Sequence, residues 1–444
     1  MLKQIASLIS YNALGYFFLF ISSIVIFRNV DKSIFGFYVF LMSIFAISDL
    51  MQTGLNESLV RFLKDRNEAI KKEDLFFSIS FIKLTISLIS IAAVFLLFSI
   101  DFFHEFMELN FARETILSYI IIGSFSHLIG LLVGLKSSLL NAYKLYQFTA
   151  KIAVFKYFFY LICVVILSFL SNIYLHYLIL NLVISFLVFI VFCVKTFDLE
   201  IEIYSLKTIK SIKLFRDKKL NRILKNYSLP LQLSSLMSYS KNHLPVIILA
   251  RVTDLESVAY FSIIKLFFKN MHSVLISFYS PMISKFNELK LENGSYKNSL
   301  NKILYSSFAV RFIIFLFAFY FSNYFFLIYK IPQENNSIYF VYIILGLEFL
   351  ISAIIINLNI PLKLEKSSFK LLYVNISRFI LEILLIVIFL ADYGVLGAAY
   401  ILFFSRFFET IVAYLFNVKN GIFTLSISLV LLVLLIFYIL VFIN

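Results

Sequence analysis

The chain has 444 residues, 61% of them hydrophobic and only 14% charged, with a formal net charge of +14. Soluble domains carry charge on about a quarter of their residues. This composition therefore excludes a water-soluble globular protein and makes lipid the solvent for most of the surface. The positive charge is then no nucleic-acid footprint, because basic residues in such a chain flank the spans on the cytoplasmic side.

Apolar runs near the roughly 20 residues that cross a bilayer predict spans at 5–27, 34–57, 75–100, 114–139, 152–171 and 174–194. A second set follows at 227–250, 257–283, 301–328, 338–360, 369–391 and 396–416, with a last run at 421–443. The runs are continuous rather than alternating, which selects helices over a barrel. The first is long enough to span and lacks a small-residue cleavage site, so no cleavable signal peptide is expected. Cys163 and Cys193 fall in separate spans, and no disulfide is expected.

Orientation follows from Lys and Arg. With the N-terminus inside, the outer loops hold only Arg28, Lys32, Arg113, Arg251 and Lys330. The other connections are far more basic, with Arg61, Lys64, Arg66, Lys71 and Lys72 in one loop. This bias predicts a multi-pass membrane protein with a cytoplasmic N-terminus. The last run then carries the C-terminus outside, unless it lies in the interface.

The longest polar interval runs from Lys195 to Lys225 and divides the chain. It separates a bundle at 1–194 from a second at 227–416, with the basic linker at 195–226 and an additional C-terminal helix at 417–444. Within the linker, Leu206, Ile209, Ile212 and Phe215 recur every third residue beside Lys207, Lys210 and Lys213. That pattern fits an amphipathic helix on anionic lipid, or equally a solvated linker helix.

The two sides echo each other. Arg28, Asp31, Gly36 and the pair Phe37–Tyr38 align with Arg251, Asp254, Ala259 and Tyr260–Phe261. Lys144 and Lys151 fall on Lys363 and Lys370 at nearly the same offset. Each half has an even number of spans, so the halves share one orientation, as in transporters with parallel repeats. The expected fold is an all-α polytopic membrane protein of two six-helix bundles around a central cavity.

With these features the chain resembles the Wzx-type polysaccharide flippases of the multidrug/oligosaccharidyl-lipid/polysaccharide (MOP) exporter superfamily. The residues that carry the likeness are Gly36 and Tyr38, Asp49 with Gly54 and Leu55, and Arg61–Phe62. Leu139–Lys144 and Tyr393–Ala399 also match. The chain departs from the family in the extra residues between Asp49 and Gly54 and in its thirteenth run. The resemblance implies a V-shaped cavity and an undecaprenyl-diphosphate-linked sugar repeat unit as cargo, moved from the cytoplasmic to the periplasmic leaflet. The lipid tail would stay in the bilayer and enter by a lateral gate near the first and eighth spans.

An ionisable group at membrane depth is costly and is a functional candidate by default. Lys265, Lys269 and His272 lie at i, i+4 and i+7 on one stripe of the eighth span. Two lysines one turn apart repel unless water or an anion stands between them, and a diphosphate is such an anion. Lys83, Lys241, Arg311 and Arg378 complete the candidate substrate-binding set. Snorkelling to an interface is the alternative for Lys83, Lys241 and Arg311. Arg378 with Glu382, and Arg406 with Glu409, are spaced as internal salt bridges. Asp49 and Glu348 read as unpaired acids and are candidates for a coupling proton or sodium ion. His127 is expected to pack or bond to backbone. Pro230 and Pro245 in the seventh span and Pro281 in the eighth suit helices that bend.

No Gly-rich Walker loop is present, so the chain is not expected to hydrolyse ATP. No nucleophile–base pair, metal-ligand cluster or cofactor motif stands out, and no enzyme activity, metal or cofactor is expected. A membrane glycan polymerase or ligase would need a long outer loop, which the chain lacks. A lipid II flippase and a multidrug antiporter are the alternatives within the same superfamily, and the basic count speaks against the second. The expected partners are a lipid-linked oligosaccharide, membrane lipids, a proton or sodium ion and polysaccharide polymerase machinery, with no nucleic acid.

Overall fold

The computed structural model describes residues 2–51, 53–63, 72–103, 111–171, 173–203, 221, 224–276, 297–332, 336–364, 368–418 and 433. The linker helix expected at 206–215, Pro281 and all of 421–443 except Val433 lie outside them, as do the side chains of Asp49 and Lys241. The described residues are almost wholly helical. The helices are α1 (Leu2–Asn29), α2 (Lys32–Met51), α3 (Thr53–Phe62), α4 (Lys72–Ser99), α5 (Arg113–Ala142), α6 (Tyr146–Leu170) and α7 (Tyr174–Ile203). A π-helical turn at Leu224–Ser228 leads into α8 (Leu229–Val252), α9 (Leu255–Ile276), α10 (Lys297–Tyr320), α11 (Ser322–Tyr329), α12 (Asn336–Leu364) and α13 (Ser368–Val418).

Among the described residues, eight helices are long and apolar enough to cross a membrane. One of these, 369–417, holds two of the predicted spans. Its two halves meet at Gly394, where φ is 50° and ψ −121°. Only glycine tolerates that backbone, so the expected loop at 392–395 is a sharp reversal within one helical element. The run predicted at 301–328 is likewise two helices, parted at Phe321. Pro230 opens α8 beside the π turn, where its missing N–H and its ring's demand for space favour the wider turn over a kink. Pro245 sits inside α8.

The chain forms two compact units, one of residues 1–31 and 38–239, the other of residues 32–37 and 240–444. In the first, α1 packs along α6, and α5 packs against α3, α4 and α7. In the second, α12 packs against α9, α10 and α13. The most apolar stretch of α12 is 83% buried, whereas no other candidate span exceeds 39%. Helix α12 is thus enclosed by protein, while the others turn a broad face outward. Also in the second unit, Gly36 at the start of α2 lies so near Leu255 that a Cβ would come 2.0 Å from its carbonyl oxygen.

The aligned loop residues occupy matching places. Arg28 and Arg251 lie in the last turns of α1 and α8, and Asp31 and Asp254 precede α2 and α9. Asp254 caps α9, accepting from the Ser257 N–H at 2.6 Å and the Ser257 hydroxyl at 3.0 Å.

Because position 394 is open to glycine alone, Gly394→Ala should cost about 1–3 kcal/mol of stability. Thermal unfolding of the purified chain in nanodiscs measures this. A variant as stable as the wild type would show that the reversal does not require the unusual backbone.

Candidate functional site

Helix α9 buries Val258, Ala259, Phe261, Ile263, Ile264 and Phe268. One stripe of the same helix, flanked by Phe261 and Phe268, carries Lys265 and His272, half-buried, and Lys269, exposed. Among the described residues of α9, Ile276 at its end is the one large apolar side chain that is exposed. Compare α6, which exposes Phe155, Phe158, Phe159, Ile162, Ile166 and Phe169. That is a lipid-facing surface. Helix α9 is not among the eight helices long and apolar enough to cross a membrane; as the eighth span that the sequence predicts, it would need water or a polar ligand on its accessible side, since a charged side chain at the centre of a spanning helix costs about 2.5–3.5 kcal/mol. The stripe expected from the i, i+4, i+7 spacing is therefore brought together as one polar face. Lys265 also stands over the Phe261 ring, 5.6 Å from its centroid.

Arg311 on α10 is wholly enclosed, with 0% exposure. Its Nη1 donates to Phe349 O at 3.3 Å and to the Ser352 hydroxyl, and lies 3.2 Å from His272 Nδ1. Arg378 is also enclosed. Neither guanidinium lies open to a ligand in this conformation, and neither snorkels.

Glu348 corrects the expectation that it lacks a partner. It accepts from Arg406 Nε at 2.8 Å. The two residues are 58 positions apart, which helical spacing cannot reveal. Arg406 Nη1 donates to Glu409 at 2.8 Å, and Arg378 Nη1 donates to the same Glu409 oxygen at 3.0 Å. Arg378 Nη2 lies 3.7 Å from Glu382. Both expected helical pairs are present, but Arg378 makes its closer contact across the α13 reversal. The result is one network of Glu348 on α12, Arg378 and Glu382 before Gly394, and Arg406 and Glu409 after it. Three carboxylates share two guanidiniums, and Lys265 stands within electrostatic reach of Glu348, Glu382 and Arg378. The network is sealed at Glu382, with 0% side-chain exposure, and most open at Glu348, with 16%.

In the first unit, Lys83 on α4 is buried and donates to Asn56 Oδ1 on α3 at 2.8 Å. It too is enclosed rather than interfacial. His127 is buried and stacks on Phe45, with centroids 5.4 Å apart. The structure adds Ser352 and Asn56, which nothing in the local sequence distinguishes from other small polar residues in apolar helices.

No family model matches the chain, and no curated protein matches it in sequence. Solved structures do. The chain is similar to a lipid II flippase, MurJ, in an inward closed conformation, with a TM-score of 0.69 and 16% identity over 98% of this chain and 97% of that one. It is similar to an inward-facing multidrug resistance MATE family transporter of the MOP superfamily, with a TM-score of 0.67 and 13% identity over 96% and 98%. The MATE multidrug transporter DinF-BH matches with a TM-score of 0.65 and 13% identity over 94% and 95%. The chain is therefore a multi-pass membrane protein with the fold of the MOP transporters. These three similar structures are a flippase and two transporters.

Removing one member of a buried ionic network leaves its partners uncompensated, at about 3–5 kcal/mol. Arg378→Met should lose about that much, and adding Glu382→Gln should restore about 1 kcal/mol or more. Chemical unfolding of the four proteins of this cycle measures the coupling. Strict additivity would dissolve the network into unrelated pairs.

Proposed function

We propose that the chain is a flippase of the Wzx type. It moves an undecaprenyl-diphosphate-linked oligosaccharide repeat unit from the cytoplasmic to the periplasmic leaflet by ion-coupled alternating access. The observation that carries this reading is the accessible face of α9, where Lys265, Lys269 and His272 stand without a carboxylate on the same stripe. Such a face suits an anion, and a diphosphate offers several oxygens to ammonium donors one turn apart. The basic bias of alternate loops supports an inner-membrane protein with its N-terminus and its 195–226 linker in the cytoplasm. The linker then joins two six-helix bundles of parallel repeat. Glu348, at the more open end of the ionic network, is our candidate for the coupling proton or sodium ion, with Asp49 as the second. Polysaccharide polymerase machinery is the expected consumer of the flipped unit.

A lipid II flippase is the second reading, because one similar structure is a lipid II flippase and the diphosphate chemistry is shared. A multidrug exporter fits less well, since cationic drugs would meet like charge on α9.

Deletion in the native host separates the two. Lipid-linked repeat units should accumulate on the cytoplasmic leaflet with peptidoglycan synthesis unaffected, and wild-type chain should restore surface glycan. Lys269→Ala should insert normally yet lower export about tenfold or more, the scale of one lost charge-assisted contact. Unaltered surface glycan in the deletion strain, with no second flippase present, would remove the glycan reading. Arrest of peptidoglycan synthesis would favour lipid II.

A further inference from the structure

Glycine in a helix interior costs stability relative to alanine, so its place there needs a reason. At every described glycine but two, a Cβ would press on a neighbour within 3.2 Å. The exceptions are Gly130 and Gly134, one turn apart on α5. A Cβ on Gly134 would meet only the Lys83 ammonium nitrogen, at 4.0 Å, and one on Gly130 would meet nothing within 4 Å. Packing therefore does not ask for these two glycines. They leave one turn of helix backbone bare, about 6 Å long at 1.5 Å per residue. This is not the outward face of α5, because the exposed Phe125 lies about 140° round the helix from Gly130.

Polar side chains border the bare turn. Lys83 Nζ, beside Gly134, donates to Asn56 Oδ1 on α3 at 2.8 Å. An ammonium has donors only, so Asn56 meets it with its oxygen and keeps both amide hydrogens. Asn56 is half-buried, and its Nδ2 makes no hydrogen bond among the described residues. Ser87 follows Lys83 by one turn on the same stripe of α4. It is wholly enclosed and its hydroxyl has no hydrogen-bond partner, whereas Ser80, Thr85, Ser90 and Ser99 each bond back to a carbonyl of that helix. Phe76 and Ile79 share a core cluster with Leu135 and Leu139. With Lys83 at Gly134, this sets α4 antiparallel to α5 and brings Ser87 level with Gly130.

We propose that this cleft of α3, α4 and α5 binds a pyranose ring of the cargo's head group, with Asn56 as the contact to its oxygens and Lys83 as the positioning residue behind Asn56. The inference rests on the reading of the chain as a flippase of a lipid-linked oligosaccharide, and adds a sugar subsite to the anion face of α9. Bare Cα–H backbone suits the apolar face of such a ring, and one helical turn suits its width. The side chains beside it offer donors, which the hydroxyl or acetamido oxygens of a sugar satisfy and a lipid chain does not. The ammonium on Oδ1 polarises the amide and strengthens its N–H groups as donors.

The test uses the full chain in nanodiscs and two probes. One is the lipid-linked repeat unit extracted from the deletion strain, the other undecaprenyl diphosphate without sugar. Wild type should bind the first more tightly. Gly130→Leu, which fills open space, should fold normally, lose that preference and bind the second probe unchanged. Gly130→Ala should raise the unfolding temperature by about 1–2 °C. A lower unfolding temperature would make the glycine structural and overturn the inference. Asn56→Leu and Lys83→Met should each weaken the first probe about three- to tenfold, the worth of one hydrogen bond. Their double variant should lose no more than either alone, and Lys83→Arg, which keeps a donor, should restore binding. Should Lys83→Met not fold, Gly130→Leu decides alone. Equal binding of the two probes by wild type overturns the inference and leaves the cargo reading standing. So does a folded Gly130→Leu that keeps the preference or weakens both probes alike. A wild-type chain that binds neither probe sinks the cargo reading, and with it the sugar assigned here.

Discussion

Charge taken out of water must be paired or wetted, and this constraint shapes the second unit. A lone ion in hydrocarbon is penalised by several kcal/mol even after relaxation. The chain meets the constraint in two ways. Around Glu409 it pairs charges directly, with one nitrogen of Arg406 at 2.8 Å and one of Arg378 at 3.0 Å. Along α9 it leaves the Lys269 ammonium exposed, with no ion-pair partner among the described residues. The two solutions adjoin, since Lys265 stands beside both.

Helix α12 makes that adjacency possible. Being enclosed along its length, it can carry polar atoms toward several neighbours without showing them to lipid. Glu348 reaches α13, and Ser352, one turn later, serves Arg311 and His272. Near its other end, Asn417 on α13 donates to Leu358 O at 3.0 Å. A single apolar helix thus fixes the positions of the guanidiniums that surround it. Its hydrophobic run predicts a span, but only its neighbours make it the centre.

How much of this is legible in the sequence depends on the range of the interaction. The helices at 114–139 or 152–171 are local matters of apolar length, and so is the shared face of Lys265, Lys269 and His272, which follows from 3.6 residues per turn. Helical spacing also shows Arg378 beside Glu382. It cannot show Arg378 against Glu409, 31 residues on, because that contact exists only after Gly394 reverses the chain. Glu348 reads as partnerless for the same reason. The glycine itself stands in the stretch Tyr393–Ala399 that carries the resemblance, yet its positive φ is a property of the backbone that no periodicity reports. Asn56 beside Lys83 is hidden similarly, on a separate short helix.

The arginines and lysines divide the work along chemical lines. Arg311 and Arg378 are enclosed, and Nη1 of each is held, in Arg311 by the Phe349 carbonyl and the Ser352 hydroxyl and in Arg378 by the Glu409 carboxylate. Such a fork is suited to holding elements in register and ill suited to releasing a ligand. Lys269, by contrast, has no ion-pair partner among the described residues and stands exposed on α9. A point charge on a flexible stem can follow an anion through a change of conformation without a geometry to defend. The proposed carrier would use both kinds of cation, the first to hold the charged interior together and the second as a grip weak enough to let go.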